Sequence, residues 1–140
     1  MLFKQIIERI EFSPKKIFLI DGLGAILSSF LLGVVLVKLE NVFGIPSSTL
    51  YFLATLPIFF AIFDFYCYLI DDNKLGHYLN VIAIVNLLYC CLSIGFAFNH
   101  FGTITNFGWA YILIEVLIII FLAILELKAA KRLISQNINN

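Results

Sequence analysis

The sequence predicts an all-α membrane protein in which four transmembrane helices form an antiparallel bundle. Of its 140 residues, 62% are hydrophobic and 13% are charged, whereas soluble domains average about 45–50% apolar and about 25% charged residues. The apolar residues are also gathered into four long runs that contain few charges. We therefore expect one integral membrane domain that covers residues 1–140.

Residues 1–13 are predicted to form a short amphipathic helix at the membrane interface. Its apolar residues recur at helical spacing, with charged residues on the other face; they are Phe3, Ile6, Ile7 and Ile10. Ser13 and Pro14 then match the N-cap and first turn of the first spanning helix.

Four apolar runs follow, at residues 17–39, 49–70, 75–98 and 107–127. Each run is long enough to cross a hydrocarbon core about 30 Å thick. Because backbone polar groups in lipid must be satisfied within the segment, each run should be a helix. The links are short, so consecutive helices should be antiparallel neighbours. Residues 128–140 are predicted to be a cytoplasmic tail.

The positive charges predict the orientation. Eight of the nine Lys and Arg residues lie on the side of the membrane that would hold both termini, and the exception is Lys38 at the end of the first run. The positive-inside rule therefore predicts cytoplasmic N- and C-termini, and we expect a multi-pass protein of the cell (plasma or inner) membrane. Positive and negative residues are equal in number, at 9 each, and no nucleic-acid partner is expected.

Two links share a short pattern. Asn41-Val42-Phe43-Gly44 follows the first run, and Asn99-His100-Phe101-Gly102 follows the third. Each glycine could supply a positive φ in a tight turn. The pattern suggests the hypothesis that the protein consists of two similar helical hairpins.

Ionisable side chains inside a membrane are costly, and by default they mark a functional site or a paired structural one. Asp21 and Asp64 fall at similar depth on neighbouring helices, toward the cytoplasmic side. Two carboxyls at one depth should not both be ionised without a donor or a cation between them. We expect this pair to share a proton or bind a cation. The structural alternatives are that Asp21, near the end of its helix, reaches interfacial water or caps local amides, and that Asp64 is satisfied by a packed Tyr or Asn.

Glu115 falls near the middle of the fourth run, where an ionised side chain is most costly. Asn86, at similar depth on the third run, is its predicted hydrogen-bond partner. Glu126 lies eleven residues after Glu115 and shares its helix face. The candidate site for a proton, a cation or another ligand comprises Glu115, Asn86, Asp64, Asp21, Asn80, His77 and Tyr68. The structural alternative is a carboxyl bonded within a dry core.

A stripe of small residues on the first run predicts close helix packing. Ala25, Ser29 and Gly33 recur at intervals of four residues, and small residues let neighbouring helices approach closely in membranes.

No motif for catalysis, metal binding or phosphate binding is recognised, so no catalytic residue, metal or cofactor is predicted. The chain favours a structural or assembly subunit of a membrane complex over an enzyme. A small transporter or channel for protons, cations or cationic solutes is the alternative, and a membrane enzyme acting on a lipid or isoprenoid is a further one. The expected partners are the lipid bilayer and either a second copy of the chain or another membrane subunit.

Overall fold

The computed structural model describes residues 2–5, 14–70 and 73–139. Over these residues the chain is mostly helical and contains no strand. The four long helices of this part are α1 (Pro14–Lys38), α2 (Ser47–Leu69), α3 (Leu75–Asn99) and α4 (Asn106–Asn139). One π-helical turn, Leu31–Val35, lies within α1, and a short helix, Glu40–Phe43, lies between α1 and α2. All four long helices have the length and apolarity needed to cross a membrane, which confirms that part of the prediction.

The fourth helix is longer than the predicted span, because it continues past residue 127 to Asn139. Ala129 and Ala130 are buried, and a Cβ added to Gly76 would lie 3.3 Å from the carbonyl oxygen of Ala130. Close packing against the start of α3 thus supports this last part of α4. Of the predicted interfacial helix, residues 2–5 are helical and exposed, while residues 1 and 6–13 lie outside the described residues.

We call the end of the molecule that holds the start of α1 the terminal end, and the opposite end the loop end. α1 and α2 pack along their length through small residues. A Cβ added to Gly22 would lie 3.2 Å from the Cβ of Asp64, and one added to Gly33 would lie 3.2 Å from the Cβ of Ala54. Ser29 Oγ also donates to the carbonyl oxygen of Ala54 at 2.7 Å. Because these contacts occur in opposite order along the two helices, α1 and α2 run in opposite directions.

α3 and α4 form the second close pair. Gly76 lies against Ala130 near the terminal end. Further along, Cys90 Sγ lies 3.9 Å from the carbonyl oxygen of Val116. These contacts again occur in opposite order, so α3 and α4 also run in opposite directions. The helices therefore pair closely as two hairpins, α1 with α2 and α3 with α4. The hypothesis that the two hairpins are similar stays a prediction.

Two apolar clusters form the core. The cluster toward the loop end contains Leu32, Leu36, Ile45, Leu50, Leu53, Ala54, Tyr89, Cys90, Ala97, Ile112 and Val116. The cluster toward the terminal end contains Ile17, Phe18, Cys67, Leu75, Leu79, Ile82, Ala129 and Ala130. Each long helix contributes residues to both clusters, and on each helix one buried polar residue lies between these two sets. The four polar residues are Asp21, Asp64, Asn86 and Glu126. The apolar packing thus holds a polar layer between its two parts.

The two connections at the loop end dock against each other. Gly44 has a φ of 72°, and its N–H donates to the carbonyl oxygen of Glu40 at 2.7 Å. A Cβ added to Gly44 would lie 2.1 Å from the carbonyl oxygen of Thr103. Thr105 N–H donates to the carbonyl oxygen of Phe43 at 3.1 Å, which fastens the second connection to the first.

The two glycines of the shared pattern have different roles. Gly44 supplies the expected positive φ, whereas Gly102 does not have a positive φ. Nothing lies within 4 Å of a Cβ added to Gly102. The prediction for the turn is therefore correct at Gly44 and wrong at Gly102. The two connections meet at Gly44 and Thr103, whereas Gly102 lies outside this contact.

Candidate functional site

Three buried carboxyls from three helices meet between the two apolar clusters. Asp21 of α1, Asp64 of α2 and Glu126 of α4 are 5%, 0% and 0% exposed. One carboxyl oxygen from each lies within 4.8 Å of the other two. The expectation that Asp21 and Asp64 share one depth is confirmed. We call these three residues the carboxyl cluster.

Asn86, on α3, holds two members of the carboxyl cluster in place. Its Nδ2 donates to Asp21 Oδ1 at 3.1 Å and to Glu126 Oε1 at 3.0 Å. Asn86 is itself buried, so these bonds form away from the surface of the chain. Each of the four long helices therefore contributes one side chain to this polar layer.

The remaining carboxyl oxygens of the cluster lack hydrogen bonds. Among the described residues, Asp21 Oδ2, Glu126 Oε2 and both oxygens of Asp64 have no partner. An unsatisfied buried polar group costs about 1–3 kcal/mol, and more if it is charged. Carboxylates this close also repel one another when more than one is ionised. Protons or a cation between the oxygens would remove both penalties.

Glu115 forms a second polar site, nearer the loop end, where three hydroxyl groups donate to its carboxyl. Tyr89 OH donates to Oε1 at 2.9 Å. Ser28 Oγ and Tyr111 OH donate to Oε2 at 2.9 Å and 2.7 Å. Both carboxyl oxygens of Glu115 therefore accept hydrogen bonds from hydroxyl groups.

The predicted hydrogen bond between Asn86 and Glu115 is wrong, because the two residues bond to different groups. Side chains tilt toward the N-terminus of their own helix. The N-terminus of α3 is at the terminal end, so Asn86 leans that way and meets Asp21 and Glu126. The contact of Cys90 Sγ with the carbonyl oxygen of Val116 places Glu115 beside the turn of α3 that follows Asn86, where Tyr89 OH bonds to it.

A cavity of about 240 Å³ connects the two polar sites. Its polar wall is formed by Asp21, Ser28, Asn86, Tyr89, Tyr111 and Glu115, and the rest of its wall is mainly apolar. Ala25, from the predicted packing stripe, also lines it. Asp21 lies at the boundary between the cavity and the carboxyl cluster, so the cavity reaches both sites.

The cavity opens sideways between α1 and α4. Leu27, Ile114 and Ile118 line it, and each is more than half exposed. α1 and α4 make fewer contacts with each other than either makes with its hairpin partner. The opening thus lies on an apolar outer face of the helices.

Three of the predicted site residues lie apart from these groups. His77 and Tyr68 are exposed, and Asn80 is half-buried. None of the three lines the cavity. Their participation in the site stays a prediction, whereas Asp21, Asp64, Asn86 and Glu115 lie in the connected polar interior.

Sequence reasoning did not select Glu126 or the three hydroxyl donors. Glu126 shares a face with Glu115 but fell at the end of the predicted span, where a carboxyl is expected to reach water. Tyr111 lies four residues before Glu115, and this spacing places it one turn away on the same face. Tyr89 and Ser28 gave no comparable signal, because their contacts depend on how neighbouring helices are rotated.

Comparisons of the chain with protein-family models, with curated proteins and with solved structures found no match.

Proposed function

We propose that the chain crosses a membrane four times as an antiparallel four-helix bundle with both termini in the cytoplasm. The length and apolarity of the four helices support insertion. The opposite directions within each hairpin support the antiparallel arrangement. The excess of Lys and Arg toward the terminal end supports the orientation, in a plasma membrane or bacterial inner membrane.

Cysteine labelling in intact cells tests this orientation. Thr103→Cys, in the exposed loop end, should react with a membrane-impermeant maleimide added outside. Ser135→Cys, exposed near the end of α4, should react only after the cells are permeabilised. Cys91 is exposed whereas Cys67 and Cys90 are buried, so both variants are made in a Cys91→Ser background. Labelling of position 135 in intact cells would contradict the proposed orientation.

We further propose that the cavity binds a small organic cation at Glu115, as the binding step of a membrane transporter for cationic solutes. The observation that carries this proposal is the buried carboxyl of Glu115 in the wall of a largely apolar cavity of about 240 Å³. Ligand sites typically combine apolar walls with a few fixed polar groups. A carboxylate in such a wall attracts a positive charge more strongly than it would in water.

The hydrogen bonds of Glu115 indicate which cations suit the cavity. Both of its carboxyl oxygens already accept hydrogen bonds from hydroxyl groups. A ligand would therefore be attracted by the negative charge of Glu115 rather than by a free hydrogen-bond acceptor. A quaternary ammonium group supplies charge without N–H donors. The rings of Phe60, Tyr89 and Tyr111 line the same cavity, and aromatic faces attract such cations.

The sideways opening supports entry from the bilayer. Apolar cations partition into membranes, and the opening between α1 and α4 is bordered by exposed apolar side chains. An apolar cation could therefore reach Glu115 without first crossing a polar vestibule. This route favours a hydrophobic ammonium compound over a small hydrated inorganic ion at Glu115.

Benzyltrimethylammonium is a suitable probe, since it combines a quaternary ammonium group with an aromatic ring. Isothermal titration with the purified full chain in non-ionic detergent should show saturable binding. Glu115→Gln keeps the shape of the side chain and removes its charge, so we expect binding to weaken at least about tenfold, or about 1.4 kcal/mol. In proteoliposomes, the same variant should lose uptake of the probe.

The matched control is Glu40→Gln. Glu40 is exposed at the loop end, where it accepts a hydrogen bond from Ser47 Oγ at 3.0 Å, and this variant should bind the probe as the unmodified chain does. Equal binding by the Glu115→Gln variant would contradict a role for the Glu115 charge. An assembly subunit, the function that the sequence favoured, would bind no probe in either form and would retain its fold as the Gln variant.

A further inference from the structure

The carboxyl cluster has chemistry that the proposed cationic solute does not use. Asp64 is 0% exposed, and neither of its carboxyl oxygens has a hydrogen-bond partner among the described residues. It faces Asp21 and Glu126, each of which contributes one more unpaired oxygen. Within residues 14–70 and 73–139, these four buried oxygens accept no hydrogen bond from an N–H or a hydroxyl group, although buried polar groups in folded proteins are nearly always satisfied.

We propose that the carboxyl cluster binds one divalent cation of the hard, oxygen-preferring class, such as Ca²⁺. This site is separate from Glu115 and does not depend on the function proposed for the cavity. The donor set consists of carboxyl oxygens, which suit Ca²⁺, Mg²⁺ and Mn²⁺ rather than cations that prefer nitrogen or sulfur.

The spacing of the oxygens agrees with a shared cation. One oxygen from each carboxyl lies within 4.8 Å of the others. Oxygen ligands surround Ca²⁺ at about 2.3–2.6 Å, so two ligands on opposite sides are roughly twice that distance apart. The observed separation therefore needs little movement of the helices to accept the ion.

Asn86 would position the ligands without binding the cation itself. Its Nδ2 holds Asp21 Oδ1 and Glu126 Oε1, which leaves Oδ2 and Oε2 of those residues directed elsewhere and unpaired. Groups that hydrogen-bond to metal ligands fix their orientation and strengthen binding. A divalent ion would neutralise two of the three carboxylates, and a proton on the third would complete the charge balance.

One ligand of the carboxyl cluster is in contact with the cavity. Asp21 lines the cavity and also belongs to the cluster. The other two ligands, Asp64 and Glu126, do not line the cavity and are completely buried. The proposed ion would therefore be enclosed by the helices, with only Asp21 between it and the cavity.

Mn²⁺ is a spectroscopic probe for this class of ion, because its paramagnetic resonance signal broadens on binding. Titration of the purified full chain in non-ionic detergent, without anionic lipid, should show one bound Mn²⁺ per chain that Ca²⁺ displaces. Asp64→Asn should weaken binding at least about tenfold, because it removes the charge of the ligand with two free oxygens. Glu126→Gln should also weaken Mn²⁺ binding, and it replaces Asp64→Asn in this test if the Asp64→Asn variant does not fold.

Glu115→Gln is the control that separates the two sites, and it should bind Mn²⁺ as the unmodified chain does. Thermal unfolding supplies an independent measurement. Ca²⁺ should raise the melting temperature of the unmodified chain, because a ligand that binds the folded state stabilises it, and should not raise that of the Asp64→Asn variant. Absence of bound Mn²⁺ at millimolar concentration, binding that Ca²⁺ does not displace, or equal binding by Asp64→Asn would overturn the proposal.

Discussion

Replacement of Gly44 by alanine is expected to lower the free energy of unfolding by about 2–5 kcal/mol, which would place it among the largest single-residue effects in the chain. Two costs act together. The φ of 72° at Gly44 is unfavourable for a residue with a Cβ. The added Cβ would also lie 2.1 Å from the carbonyl oxygen of Thr103, so the two connections at the loop end would have to separate.

Gly102→Ala is the matched control, since it is the corresponding glycine of the other Asn-x-Phe-Gly link. The φ of Gly102 is not positive, and a Cβ there meets nothing within 4 Å. The free energy of unfolding of the Gly102→Ala variant should therefore be nearly that of the unmodified chain. Denaturation of both variants with increasing SDS in mixed micelles, followed by circular dichroism, measures the difference. Equal stability of the two variants would mean that the loop end does not depend on the close contact at Gly44.

The second large effect is expected at Asn86. Asn86→Leu retains a side chain of similar size but removes the donor for Asp21 and Glu126. Each lost bond to a buried carboxyl costs about 1.5–3 kcal/mol, so the variant should be destabilised by about 3 kcal/mol or more. Stability is lost because Asp21 Oδ1 and Glu126 Oε1 are left without their donor, and because α3 loses its hydrogen bonds to α1 and α4.

Asn80→Leu serves as the comparison, because Asn80 lies on the same helix but is only half-buried. It should change stability by about 0.5 kcal/mol or less, the range typical of substitutions away from buried polar networks. Both variants are measured by the same SDS titration, at one pH and in the absence of divalent ions. If Asn86→Leu were as stable as Asn80→Leu, the hydrogen bonds of Asn86 would contribute little to the fold.

The two polar sites differ in a way that bears on their roles. The carboxyl of Glu115 receives three hydroxyl donors, so it is satisfied without any ligand. In the part of the chain that the structure describes, the carboxyl cluster receives hydrogen bonds from one amide nitrogen, and four of its oxygens have no partner. A satisfied site can recognise charge without reorganising, whereas an unsatisfied site gains stability when a cation enters. For this reason we assign the organic cation to the first site and the divalent ion to the second.

Part of the site was predictable from position along the chain. Asp21 and Asp64 lie at similar distances from the terminal ends of neighbouring antiparallel helices, and a rise of 1.5 Å per residue is enough to place them at one depth. The close packing of Ser29 and Gly33 on Ala54 likewise follows the four-residue repeat of small side chains. These features depend on helix length and direction, which local sequence determines.

The pairing of the polar groups was not predictable in the same way. Counting residues along the helices paired Asn86 with Glu115, whereas the packing of Cys90 on Val116 places Glu115 beside the next turn of α3, at Tyr89. It also left Glu126 at the edge of a span, whereas the continued packing of α4 on α3 buries it completely. The contacts of Ser28 and Tyr89 with Glu115 depend on helix rotation and on the gap between α1 and α4.

The sequence by itself therefore determined that there are four long apolar helices and that acidic groups lie among apolar ones. It could do so because helix formation and length follow from local hydrophobicity and from backbone hydrogen bonding within each segment. Only the tertiary structure decided that three carboxyls meet at Asn86, that Glu115 is surrounded by hydroxyls, and that a cavity connects the two groups. Those features depend on the rotation, tilt and separation of whole helices, which are set by packing among residues far apart in the chain.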